Sequence, residues 1–464
     1  MAKRRKEEST DSVLTNFNQA FQTELGKLCD FDFPDPVFCS TGSTLLDTIV
    51  GGGLLTGKYH VFAAPAHSGK STTCIRTMSK FLESYPDGNV LWIDGEQATP
   101  PERLIQLGIP YEHDKDVDGN DIIDDFTGMP KAVMNPIVGR DGRTHQEVKW
   151  DPRFFRIPTN ITFEKAFTFI DTCIQLKIQA NREKDPLLVI FDSLDSLPTQ
   201  KEIETDDVDR AIGQRAKVIG YYLKRYLYKI SQYNICVVFI VHIGKKLSMM
   251  GPYESYDGRM SSLKDFTIAG GKAIQFYPYN MINFRARMGS TIDKKLESLG
   301  VNSGFIVEAT TMKAKGFSFN LVVPLVFNTL KGFDEYPTRF YNMNENDWFK
   351  GTTWKTMPEF PDDKFNTNTF FVRLREDPSF KNKVDISWNN YLDTTFKKYH
   401  SLLNSITVSN QNMDIDNFDE TEMADKMDKF FSMGDVGETE SQTPNTMQFE
   451  ENNTETKITI EGGE

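Results

Sequence analysis

The 464-residue sequence contains no apolar run long enough to cross a membrane as a helix. Its densest stretches, Ile235 to Ile243 and Leu321 to Phe327, have the size of buried strands. Cysteine is scarce: Cys29, Cys39, Cys74, Cys173 and Cys236 are an odd number, widely spaced, with no CxxC pair. This argues against a disulfide framework or a zinc site and fits reduced thiols buried as small hydrophobes. The basic start MAKRRKEESTDS is not followed by an apolar segment with a small-residue cleavage site, so no secretion is expected from it and a cytoplasmic location is. With 39% apolar and 26% charged residues, fibrous and wholly disordered classes are excluded.

A basic balance is also missing, since the formal net charge is −13. Residues 414–464, however, hold 15 Asp or Glu against 3 Lys. The rest of the chain carries 51 acidic and 50 basic side chains and is nearly neutral. The acidic bias belongs to a tail and does not speak against a folded surface that binds a polyanion.

Four segments are expected. In residues 1–35, Leu14, Phe17, Phe21, Leu25 and Leu28 recur at helical spacing after Ser9, Thr10 and Asp11, and the stretch DFPDPV then marks a linker. Residues 36–335 alternate strand-like runs (Tyr59 to Ala63, Val90 to Ile93, Leu187 to Phe191, Cys236 to His242) with helical patterns, which predicts an α/β core with a mostly parallel sheet covered on both faces. Residues 111–150, rich in Asp and Gly, read as an inserted loop or hairpin. Residues 336–410 turn aromatic (Trp348, Trp354, Phe370, Phe371, Trp388, Tyr391) and predict a small C-terminal domain with its own core. Residues 411–464 form the acidic tail, whose composition does not support a packed core.

The run Pro65-Ala66-His67-Ser68-Gly69-Lys70-Ser71-Thr72 lies between a strand and a helical pattern, the setting of a Walker A phosphate loop. Backbone N–H groups of such a loop wrap phosphate oxygens, Lys70 supplies the cation, and the Ser71 hydroxyl ligates Mg2+. Ala64 stands at the first glycine position of the motif. Leu187 to Phe191 ends in Asp192, a Walker B arrangement able to hold the magnesium. A third strand, Leu91 to Ile93, ends at Asp94-Gly95-Glu96; either acid could activate water against a γ-phosphate.

Ser40 to Asp47 with Gly51-Gly52-Gly53, the Walker A strand, Ile93 to Glu96, Leu107-Gly108, Phe191-Asp192-Ser193, Gly270 to Ala273 and Phe276-Tyr277 together resemble the RecA core. The similarity covers residues 36 to about 330 apart from the insert, and the C-terminal piece and tail look most like the UvsX branch, the strand-exchange proteins of tailed bacteriophages. The resemblance implies an α/β fold of RecA type, a P-loop NTPase core with an N-terminal oligomerisation helix and a small C-terminal domain. It makes Glu96 the catalytic glutamate, favoured over Asp94, and makes His242 the γ-phosphate sensor. Lys313 and Lys315 match the pair that reaches the neighbouring protomer's phosphates, though two lysines two apart on a strand are also what a solvated face contains. Arg103 stands where the family places an aromatic beside adenine; a guanidinium stacks on a base as well.

Two segments would face DNA in this fold. Residues 199–212 hold Lys201 and Arg210 among five acidic residues, so their direct contribution is open. Residues 244–268 bring Lys245, Lys246, Arg259 and Lys264 together with Met249 and Tyr253. Cations that hold phosphates beside groups that wedge between bases suit single-stranded DNA. Gly270, Gly271 and Lys272 follow, where main-chain N–H groups could approach phosphate. The residues Asp114, Asp116, Asp118, Gly119, Asn120 and Asp125 echo a calcium loop, but Asp121 and the nearby Gly128 and Pro130 favour an acidic, solvated turn.

The resulting expectation is an ATP- and Mg2+-dependent DNA recombinase, a single-strand-stimulated ATPase that forms a helical filament and pairs single-stranded with homologous double-stranded DNA. Single-strand-binding and mediator proteins are the expected partners, with the host cell cytoplasm as location if the chain is phage-encoded. The alternatives are a ring helicase on the same core and a non-catalytic recombination mediator.

Overall fold

A computed structural model describes residues 34–411 apart from 126, 139–142, 159–160, 205–207, 246–265, 269 and 316–319. The N-terminal helix and the acidic tail expected from the sequence lie outside the described residues.

The described chain begins with β1 (Phe38–Cys39), helix α1 (Thr44–Ile49) and β2 (Leu54–Leu55), which pairs antiparallel with β1. The phosphate-loop strand β3 (Tyr59–Ala64) leads into α2 (Lys70–Ser84); β4 (Asn89–Asp94) leads into α3 (Pro101–Gln106). The insert contains the hairpin β5 (Met134–Val138) and β6 (Thr144–Val148), together with isolated bridges such as His113 to Ala132 and Tyr111 to Trp150. The core resumes with β7 (Phe154–Pro158), α4 (Phe163–Gln179), β8 (Leu187–Asp192), α5 (Gln200–Glu204), α6 (Val208–Gln232) and β9 (Ile235–Lys245). Then come β10 (Phe266–Ile268), α7 (Gly271–Phe276), β11 (Asn280–Arg287), α8 (Ser290–Ser298), β12 (Gly304–Ala314), β13 (Val322–Asn328) and β14 (Gly332–Phe333).

These strands form one sheet in the order β14-β13-β12-β11-β3-β9-β8-β4-β7, with β10 pairing antiparallel to the end of β9. From β11 to β7 every neighbour is parallel, while β12, β13 and β14 extend the sheet antiparallel. This is the mostly parallel α/β core that the RecA resemblance implies. Strands buried on both faces need apolar residues at every position, and successive side chains go to opposite sides. Phe62, Trp92, Ile190 and Val238 join one core, with Cys74, Met78 and Phe81 of α2. Val61, Leu91, Val189 and Phe239 join the other, with Phe167 and Ile170 of α4 and Leu223 and Tyr226 of α6.

The C-terminal part consists of α9 (Glu335–Glu345), the hairpin β15 (Lys355–Met357) and β16 (Phe360–Phe365), α10 (Thr367–Glu376) and α11 (Pro378–Gln411). Phe340, Phe349, Phe365, Phe370 and Phe380 stack edge to face and tilted as one cluster, which is continuous with the core over α2. Polar ties seal the junction. Glu335 accepts from the Thr44 main-chain N–H at 3.0 Å and its hydroxyl at 2.7 Å, and the Trp388 indole donates to Thr44 Oγ1 at 3.0 Å. Contacts divide the chain into one unit up to Asn404 and a second from Ser405, of which the last turns of α11 are described.

Candidate nucleotide site

Parallel strands deliver their carboxyl ends to one edge of a sheet, where ligands of open α/β folds bind. Register brings Ala64 opposite His242 and Asp94 opposite Asp192, so the ends of β3, β8 and β4 gather beside His242 of β9. The loop from Pro65 to Gly69 leaves this edge and opens α2. Its turn depends on Gly69, which has φ of 84° and lies so close to Phe327 of β13 that a Cβ would stand 2.8 Å from the ring. Ala66 and His67 are exposed, while Ser68 is buried and its hydroxyl donates to the Pro65 carbonyl at 3.0 Å. Thr72, one residue past the Ser71 hydroxyl, stands in the first turn of α2. Ala64 at the first glycine position of the motif is the last residue of β3 and fully buried, a place that an ordinary residue fills.

Lys70 is almost completely buried and donates to the carbonyls of Ala64 at 3.1 Å and Pro65 at 2.6 Å. Burial pushes its ammonium down to about 8, against the pull of Glu96, Asp192 and Asp195. The Ser71 hydroxyl donates to Asp192 Oδ1 at 3.2 Å. Burial raises the Asp192 carboxyl to about 7, helped by the negative charge of Glu96 and Asp94. A hydroxyl and a carboxylate side by side among further carboxylates are hard oxygen donors, the set a magnesium ion takes, and Ser71 and Asp192 would hold it. Among the described residues no cluster of three or more His, Cys, Asp or Glu forms a metal site, so phosphate and water oxygens would supply the remaining ligands.

Asp94 and Glu96 have separate environments. Asp94 is buried; its Oδ2 accepts from Arg156 Nε at 3.0 Å and Nη2 at 2.5 Å, and its Oδ1 accepts from the Gln97 main-chain N–H at 3.0 Å. Gly95 lets the end of β4 lie against the end of β8, where Gly95 N–H donates to the Asp192 carbonyl at 2.6 Å and a Cβ would stand 1.9 Å from Ser196 Oγ. Glu96 is partly exposed at the mouth, with Oε1 3.9 Å from His242 Nε2. The other face of His242 is covered by Asp195, whose Oδ2 accepts from the His242 main-chain N–H at 2.7 Å and lies 3.3 Å from Nδ1.

Other residues named from the sequence stand on other elements of the fold. Arg103 donates through Nη1 to the Leu330 carbonyl at 2.7 Å, between α3 and the turn after β13. Lys313 and Lys315 lie at the end of β12, where Met281, paired with Lys313, also pairs with Val61 near the start of β3; this is the edge of the sheet opposite the phosphate loop. Lys313 donates to the carbonyls of Gln275 and Phe276, closing the end of α7, and burial together with Lys315 lowers it to about 8. Lys315 is exposed. Gly270 and Gly271 have φ of 85° and 62°, and they pack close to α6: a Cβ on Gly270 would stand 2.5 Å from Ile274 Cγ1 and 3.4 Å from Ile219 Cγ2. Lys272 is exposed beside them. Lys245 ends β9, and nothing is described of its side chain; Lys246, Met249, Tyr253, Arg259 and Lys264 lie outside the described residues. In the acidic turn, Asp116 Oδ1 accepts from the main-chain N–H groups of Asp118 and Asn120 at 2.9 Å each, and Lys115 donates to the Gly119 carbonyl at 3.2 Å.

Three residues at the site went unnoticed in the sequence: Asp195, Arg156 and Arg215. Arg215 of α6 donates to both Glu202 oxygens at 3.1 and 2.9 Å and to the Leu194 carbonyl at 2.6 Å. Asp195 stands three residues past Asp192, the one signal that could have found it; the two arginines depend on which elements are neighbours.

No family model matches the sequence. The chain is similar to RecA proteins. It is 24% identical to protein RecA of Paracoccus denitrificans over 295 residues, 62% of this chain and 65% of that protein. Protein RecA of Malacoplasma penetrans is 24% identical over 300 residues, 64% of this chain and 70% of that one. Protein RecA of Trichodesmium erythraeum is 22% identical over 299 residues, 64% of this chain and 66% of that one. The chain thus spans between 54% and 70% of the length of these and other RecA proteins it matches. These distant likenesses agree with the sheet order and with the strand-loop-helix at Lys70.

Proposed function

We propose that the protein is an ATP-dependent DNA recombinase of RecA type, closest to the UvsX strand-exchange proteins of bacteriophages. The observation that carries this reading is the convergence of Lys70, Ser71, Asp192, Glu96 and His242 at one sheet edge. Lys70 and the loop N–H groups would bind the phosphates of ATP, and Ser71 and Asp192 would hold Mg2+, whose charge would stabilise the phosphoryl oxygens. Glu96, free of the arginine that occupies Asp94, orients the attacking water. His242 stands three residues before the end of β9, whose last residues, Gly244 and Lys245, open the segment 244–268, so the state of the γ-phosphate passes along one strand to the DNA-facing segment.

Lys313 and Lys315 stand at the edge away from their own chain's phosphate loop. That position supports a role toward a neighbouring protomer and, with it, a helical filament on single-stranded DNA that takes up homologous duplex in phage recombination, repair and replication. Single-strand-binding and mediator proteins would act on that filament.

The test combines ATP turnover with electron microscopy of the protein, ATP and single-stranded DNA. Stimulated turnover with open helical filaments is expected. Closed rings would make the protein a helicase, and filaments without turnover a non-catalytic mediator.

A further inference from the structure

The turn after β8 carries a carboxylate that the phosphate chemistry above does not use. Asp195 sits on the side of His242 away from Glu96, and a single oxygen, Oδ2, meets both the main-chain N–H at 2.7 Å and ring Nδ1 at 3.3 Å. A neutral imidazole has one donor and one acceptor nitrogen, and the bond made by one decides the role of the other. With Nδ1–H directed at Asp195, Nε2 is the unprotonated nitrogen on the side of Glu96, 3.9 Å from Oε1.

The turn that presents Asp195 is anchored from three elements. Leu194 N–H donates to the Ile240 carbonyl of β9 at 2.8 Å, which fixes the turn to the strand that bears His242. Arg215 of α6 donates to the Leu194 carbonyl at 2.6 Å and lies 3.4 Å from the Asp195 carbonyl. The same guanidinium grips Glu202 of α5, whose Oε2 also accepts from the Thr199 main-chain N–H at 2.6 Å. A side chain locked through main-chain bonds on both sides holds its ligand in one orientation, as the supporting partners of metal-bound histidines do.

We infer that Asp195 is a positioning residue for His242: it sets the tautomer and plane of the imidazole so that Nε2 faces the Glu96 side of the nucleotide site. This rests on the proposed function for its kinetic consequence, but the orientation of the ring stands independently of it.

The experiment has two readouts. In full-length protein labelled with 15N-histidine, the His242 ring is expected in the Nδ1–H tautomer, and Asp195→Ala is expected to abolish that preference. A wild-type Nε2–H tautomer, or a ring signal indifferent to Asp195→Ala, overturns the assignment even if the protein hydrolyses nothing. The kinetic readout is a double-mutant cycle on single-strand-stimulated ATP hydrolysis. Asp195→Ala is expected to lower kcat about tenfold or more, with KM for MgATP within about twofold, and to have no further effect in a His242→Ala background. Equal factors in both backgrounds would make Asp195 a structural residue that does not act through His242. If Asp195→Ala does not fold, Asp195→Leu, close in shape but without an acceptor oxygen, carries the same cycle. Absence of turnover in the wild type counts against the proposed function and leaves the tautomer measurement to decide this inference.

Discussion

Arg156 of the edge strand β7 grips the Asp94 carboxylate at the end of β4 through two nitrogens, at 3.0 and 2.5 Å, while its guanidinium lies 4.9 Å from the centre of the Trp92 ring. The pair ties the outermost strand to the turn that carries Glu96. Removing one member of a buried pair leaves the other charge without compensation. Arg156→Gln is therefore expected to cost about 3–5 kcal/mol, seen as a lower urea midpoint. Adding Asp94→Asn should recover part of the loss, because the stranded charge is then gone.

Lys70 is the proposed cation of the phosphate loop. Lys70→Ala is expected to abolish ATP hydrolysis while the fold, followed by circular dichroism, is retained. Near-normal turnover in that variant would refute the phosphate-site assignment.

Under the proposed function, Glu96 and Asp94 have different roles at the end of β4. Glu96→Gln is expected to lower turnover by roughly 10²–10⁴-fold while binding of MgATP, measured by calorimetry, persists. Asp94→Asn should instead act on the melting curve, since its carboxylate is committed to Arg156 and to the Gln97 N–H. A Glu96→Gln enzyme with unchanged kcat would return the catalytic role to another group.

His60 gives a pH signature. It is fully buried in β3, its Nε2 lies 2.9 Å from the Leu55 carbonyl, and burial pushes it down to about 4. A group depressed in the folded state adds stability above its unfolded pKa of about 6.5 and loses it as pH falls toward the folded value. The loss between about pH 6.5 and 4 is on the order of 3 kcal/mol. Urea midpoints of wild type and His60→Gln measured across this range should converge as pH falls; parallel curves would remove His60 from the acid response.

Much of this was legible in the chain because burial on both faces imposes a simple composition. Tyr59 to Ala64, Leu187 to Asp192 and Ile235 to Val241 are almost unbroken apolar runs, and the Gly69-Lys70-Ser71 turn sits directly after one of them. The edge strand Phe154–Pro158 was not legible, since it carries Arg156 in its middle and ends in Pro158, and so lacks that composition. The Arg156 to Asp94 bond depends on β7 lying beside β4, which local sequence does not encode. The same holds for Asp195: its distance from Asp192 is readable, but its bond to His242 follows from β8 and β9 being neighbours, 47 residues apart at the point of contact. The insert left no period because its bridges are isolated and pair mixed residue types, Lys115 with Asp121 but Ile123 with Pro130.

The insert also begins and ends at one place. Tyr111 bridges to Trp150, and the Glu112 main-chain N–H donates to the Lys149 carbonyl at 2.8 Å, so entry and exit are adjacent. An excursion closed at its own neck adds little to the conformational cost of joining β4 to β7. The neck is thus a natural cut-and-paste junction: exchange of the excursion beyond it for a two- or three-residue turn, or for a fluorescent reporter, is expected to leave the strand order of the sheet in place.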